Sequence, residues 1–284
     1  MDTKSSTLIA IALVSFIAMF LFVEPIPQWP EYHDFADDRT LFGIVNAHNV
    51  LSNVGLVIIG IWGLLFIAGR SGKQATGDLW LPYLIFFGGL ILTGFGSAYY
   101  HHDPGSATLI WDRLPMTIMF MGLFATILGE IVGSRAANRL LLPFLLLGVG
   151  SVLWWAWTES IDAGDLRIYA LVQFLPPVLV VFMLFAYPRP AHYVPYIAGI
   201  LLLYVVAKLC EEFDLQIYQA MKGLSGHALK HVVSAFASGS ILLMLYRRRS
   251  LSISKASSGD HQSGPRLKVR NSQAGNPGES SAGS

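Results

Sequence analysis

The feature that most constrains this chain is a series of eight apolar stretches, each close to the roughly 20 residues a helix needs to cross a bilayer. They run at about 7–23, 49–69, 79–100, 107–133, 140–157, 168–187, 193–210 and 224–246, separated by short polar connectors. Backbone N–H and C=O groups have no water partner in lipid, so stretches of this kind fold as helices. Of the 284 residues 54% are hydrophobic and 13% charged, against about 25% charged in a soluble domain. The sequence therefore predicts an all-α polytopic membrane bundle and excludes a water-soluble globule.

The first stretch follows Lys4 as a signal peptide would, but it is long and ends Phe22-Val23-Glu24-Pro25 without a small-residue cleavage site, so it reads as a retained anchor over 1–23. The basic connectors alternate with acidic ones. Arg70 and Lys73, Arg135 and Arg139, Arg189, and Arg247-Arg248-Arg249 fall on one side; Glu24, Glu31, Asp34, Asp37 and Asp38, and Glu159, Asp162 and Asp165, fall on the other. The positive-inside rule then predicts eight spans with both termini cytoplasmic. Residues 247–284 hold seven basic side chains against Asp260 and Glu279. Rich in Ser, Gly, Asn and Gln, this tail is expected to be disordered, with its first basic residues near lipid headgroups. The body is acidic, so no basic face for nucleic acid is expected. Cys210 is the single cysteine, which excludes an internal disulfide and a Cys-rich zinc site.

Ionisable residues inside spans are costly and point to function. The third span ends Gly96-Ser97-Ala98-Tyr99-Tyr100-His101-His102, with Ser97 and His101 on one helix face. The fourth opens Trp111-Asp112-Arg113, and the eighth opens Gly226-His227-Ala228-Leu229-Lys230-His231, with His227 and His231 again four apart. Under the predicted topology the third span runs outward and the other two inward, so all these groups lie at one depth near the outer face. Taken singly, each has an ordinary reading: interfacial histidines, a Ser97 bonded back to a carbonyl, an Asp112 paired with Arg113, a solvated His102. Taken together, three imidazoles, a carboxylate and a hydroxyl at one level are what a catalytic zinc requires.

These segments, with the Asn49-Val50-Leu51-Ser52-Asn53 opening of the second span, resemble the alkaline ceramidase family within the CREST superfamily of membrane hydrolases, over about 34–246. The resemblance implies a seven-helix core over 49–246 preceded by an added N-terminal helix, and a zinc-dependent amidase acting on ceramide or a related N-acyl lipid. By position, His101, His227 and His231 would ligate zinc, Asp112 would hold and deprotonate the attacking water, and Ser97 would help stabilise the oxyanion. It also implies a candidate calcium site in the acidic outer loop 24–48, at Asp34, Asp37, Asp38 and Asn46, where Asn46 stands in place of an acid and an ordinary acidic loop is the alternative.

Lys208, Glu211, Glu212 and Asp214 are expected to form a polar network at the mouth, Glu130 to snorkel or cap, and Trp154, Trp155 and Trp157 to form an interfacial aromatic belt. Two other classes fit parts of the pattern: a receptor-like protein that shares the zinc site without turnover, and a haem or proton carrier using paired membrane histidines.

Overall fold

Length and apolarity set where a helix can cross lipid, and eight helices meet that requirement in the computed structural model, which describes residues 3–188 and 191–260. The helices are α1 (Thr3–Phe22), α2 (Ala47–Leu51), α3 (Val54–Ala68), α4 (Arg70–Thr76), α5 (Trp80–His102), α6 (Ser106–Ile131), α7 (Ser134–Ser160), α8 (Arg167–Ala186), α9 (Val194–Glu212), α10 (Asp214–Met221) and α11 (Gly226–Asp260). No strand occurs among the described residues. The protein is an all-α, multi-pass membrane bundle. Its outward surface carries exposed Ile58, Leu65, Leu146, Phe185, Leu202 and Phe236, a lipid-facing coat that water would not tolerate.

Helices α5 and α6 are the central pair; α3 packs on α5, α7 on α6, α8 on both α6 and α7, and α1 on α8. α1 buries no residue of its own. Two small-residue contacts position the site. A Cβ at Gly89 would lie 2.8 Å from the Met119 Cα, so α5 and α6 touch backbone to backbone. Two turns nearer the histidine end, the Trp111 carbonyl, for which Pro115 has no N–H, abuts Gly96, where any side chain would collide with it. The crossing thus falls one residue from both Ser97 and Asp112. At the start of α11, Gly226 meets the Cys210 carbonyl of α9 in the same way.

Several connections differ from the sequence reading. The second span is broken between α2 and α3, because the Ser52 hydroxyl and the Asn53 amide donate to the Asn49 carbonyl and compete with the helical ladder. The 70–78 connector is helical, not an irregular loop. The chain divides into two units, 1–249 and 250–284. Within the second, the expected disorder does not begin at Ser250, since helical conformation continues to Asp260; Arg266, Lys268, Arg270 and Glu279, like Arg189, lie outside the described residues.

Glu130 neither snorkels nor caps. Its side chain is 4% exposed, accepting a hydrogen bond from the Tyr83 hydroxyl at 2.8 Å and pairing with Arg248 at 2.8 Å.

Candidate metal centre

α5 delivers His101 from its last turn, and α11 delivers His227 and His231 from one face of its first two turns. All three rings are buried, and one nitrogen of each lies within 4.8 Å of the other two. Among the described residues this is the group of His, Cys, Asp or Glu placed to hold a metal ion. His101 Nε2 and His227 Nε2 face each other at 3.2 Å. Only a shared proton or a shared cation reconciles two imidazole nitrogens at that distance. Two nitrogens, each about 2.0–2.1 Å from a tetrahedral zinc, stand about 3.3 Å apart. His101 Nδ1 is buried without a hydrogen-bond partner.

Ser52 Oγ lies 2.8 Å from His231 Nδ1 and 3.1 Å from the Asn49 carbonyl. In the tautomer in which Nδ1 donates to that oxygen, His231 Nε2 is unprotonated, the form in which imidazole binds metal. An all-nitrogen set of three, buried and close-spaced, fits zinc. The close-packed trio leaves no room for a porphyrin plane between the rings.

Ser97 and Asp112 face each other across the α5/α6 crossing and line, with His231, a cavity of about 380 Å³. Its far end is apolar, walled by Leu56, Phe86, Met119, Phe120 and Ile241. This size lies within the range of small-molecule sites. Arg113 does not pair with Asp112. It donates to the Gln28 side chain at 2.7 Å and sits among the rings of Trp155, Tyr169 and Tyr32, 4.3, 4.9 and 5.4 Å from their centroids. Trp155 is accordingly 1% exposed and is not part of an interfacial belt, whereas Trp154 and Trp157 are exposed. His102 is exposed as a solvated neighbour of His101.

The segment between α1 and α2 closes the histidine end. Phe35 presses on His101 and His227, its centroid 4.7 and 4.6 Å from theirs. Asp214 ties this segment to α11 by accepting from the backbone N–H groups of Ala36 and His227, at 3.0 and 2.7 Å. Phe35 escapes sequence reasoning, because one aromatic residue in a polar loop carries no signal of what it covers.

The calcium candidates do not assemble. Asp34 and Asp38 are exposed. Asp37 is buried, but both its oxygens are taken: Arg39 donates to them at 2.7 Å each, and His48 Nδ1 lies 2.7 Å from one. The Asn46 amide donates to the His101 carbonyl at 2.8 Å. Arg39 also donates to the Gly223 carbonyl at 2.6 Å, so the guanidinium stands where a cation would be needed. Burial alone would push the Asp37 carboxyl up, yet the hydrogen bonds from Arg39 and His48 outweigh it and hold it below the ordinary carboxylate range. This donor set does not fit calcium, which takes six to eight free oxygens.

No protein-family model matches the chain, and no curated protein matches it.

Proposed function

We propose that the protein is an intramembrane zinc-dependent amidase that cleaves the N-acyl bond of ceramide or a related N-acyl lipid. The observation that carries this reading is the opening of one cavity onto His231, Ser97 and Asp112 at its polar end and onto an apolar interior fit for an acyl chain. The motifs that resemble alkaline ceramidases lie on the helices that build this cavity. His101, His227 and His231 would hold the zinc, which when bound supplies an acidified water and polarises the scissile carbonyl.

The chain's own residues do the rest. Asp112 takes a proton from the attacking water as its oxygen bonds to the amide carbon, and passes it to the amide nitrogen as the C–N bond breaks, giving a fatty acid and a free amine. The Ser97 hydroxyl has one proton to donate. While Asp112 is ionised it holds that proton; once Asp112 is protonated, the hydroxyl is released to the developing oxyanion. Phe35 and the aromatic rings around Arg113 keep bulk water from the end of the cavity. The distribution of basic connectors supports a reading with both termini on the cytoplasmic side and this site near the outer face.

Mass-spectrometric detection of fatty acid and amine from zinc-loaded protein, given a panel of ceramides and other N-acyl lipids, tests the reading. Wild type is expected to release both products. Asp112→Asn is expected to keep its zinc and lose turnover by at least ~100-fold, and His231→Ala to lose both. A folded, zinc-containing wild type that cleaves none of the panel overturns the proposal and leaves a receptor-like role.

A further inference from the structure

Hydrolysis at the site just described accounts for Asp112, Ser97 and the histidines, but not for the other charges on the cavity wall. Lys208 and Glu211 from the last turns of α9, and Lys230 from the first turns of α11, line the same cavity as Asp112 and His231. Glu211 bridges the two lysines: Lys230 donates to one of its oxygens at 2.8 Å and Lys208 to the other. One carboxylate between two ammonium groups leaves a positive charge over. Each ammonium has three N–H donors, and each spends one on Glu211. Arg113 adds a third cation to the wall, so three cations face the cavity against Asp112 and Glu211. Surplus positive charge within a span is costly unless an anion answers it, and a neutral head group such as that of ceramide supplies none.

We propose that Lys208 and Lys230, held together by Glu211, form an oxyanion-binding subsite, and that the lipid cleaved here carries an acidic oxygen group, a carboxylate in the first instance, on the amine side of its amide. This rests on the amidase reading and narrows it to N-acyl amino acids and their acidic relatives. The acyl chain occupies the apolar end, the amide lies at the histidines, and the acid meets the two ammonium groups.

The test compares N-oleoylglycine, its neutral amide N-oleoylglycinamide and N-oleoylethanolamine phosphate, presented to the zinc-loaded full chain in zwitterionic nanodiscs, so that surface charge does not bias partitioning. Wild type is expected to show a KM about tenfold or more lower for the carboxylate than for the amide. A larger preference for the phosphate would assign the same subsite to phosphorylated head groups. Lys230→Met leaves Glu211 paired with Lys208, so no carboxylate is orphaned. It is expected to raise KM for the acids about tenfold more than KM for the neutral amide, so that the preference for the acid is lost. Equal KM values for acid and amide in wild type would overturn the subsite while leaving the amidase intact. So would a loss in Lys230→Met that is the same for both. Should none of the three be cleaved, that result counts against the amidase reading alone. Calorimetric binding of the same pair then decides the subsite: a tenfold preference for the acid that Lys230→Met abolishes supports it, and equal affinities overturn it.

Discussion

Two polar clusters at the same end of the bundle differ in one respect that sets their chemistry. Around Asp37 the chain supplies its own cation, since the Arg39 guanidinium lies on both carboxylate oxygens. Around His101 no guanidinium or ammonium group is hydrogen-bonded to the rings among the described residues, and two imidazole nitrogens face each other at 3.2 Å. The two are linked through residues 46 and 47: the Asn46 amide donates to the His101 carbonyl, and the Ala47 N–H donates to the Arg39 carbonyl. A cluster of ligand-type residues can take a metal only where its donor atoms are not already spent on an internal partner. The acidic loop, richer in carboxylates, is the structural element; the histidine trio is the group placed to hold an ion.

The sharpest way to break this contrast is to measure bound metal. His227→Ala and His231→Ala are expected to bring zinc from about one per chain to background by elemental analysis, because two ligands no longer fill the set. Arg39→Ala is expected to leave zinc unchanged. Equal zinc in the histidine variants and wild type would remove the distinction.

A smaller effect is expected one step out from the ligands. Ser52→Ala removes the hydroxyl that hydrogen-bonds His231 Nδ1 without touching the ligand itself. Partners of this kind fix ring orientation and typically carry 10–100-fold in metal affinity, so zinc titration against a competing chelator should show a loss of about that size. An unchanged affinity would mean that the α11 backbone alone orients His231.

How much of this was legible in the sequence depends on distance along the chain. The spans were legible from their length and apolarity. His227 and His231 share a face because they are four apart, and the alternation of basic and acidic connectors brings the end of α5 to the level of the starts of α6 and α11. What escaped are pairings between residues far apart: Glu130 with Arg248, Trp155 against Arg113, Arg39 reaching Gly223. Sequence spacing fixes which face a residue takes on its own helix. It does not fix which helix packs there, and here that choice was made by backbone contacts such as Gly96 against the Trp111 carbonyl.

The Asp37 clamp gives an effect on stability instead of on metal. Arg39→Ala leaves a buried carboxylate with His48 as its remaining side-chain partner, so the thermal midpoint is expected to fall. In wild type, neither added calcium nor a calcium chelator is expected to move it. A rise in midpoint with calcium would show that the ion displaces Arg39, making the two clusters alike.

The smallest expected effect separates the clusters by pH. A carboxyl held below its ordinary range in the fold contributes stability that is present above its unfolded pKa, about 3.9, and is lost as pH falls through the depressed folded value. Asp37 is such a group, by virtue of Arg39 and His48. Asp165, held down by Arg167 against the opposing effect of burial, behaves the same way, so wild type alone cannot assign an acid-side fall in midpoint to either. Arg39→Ala can. Without the guanidinium, burial dominates at Asp37 and pushes its carboxyl up, and protonation then relieves the fold. The variant should therefore lose less stability than wild type as pH drops from about 5 to about 3, with the Asp165 contribution common to both. Parallel curves would mean that the guanidinium is not what holds Asp37 ionised.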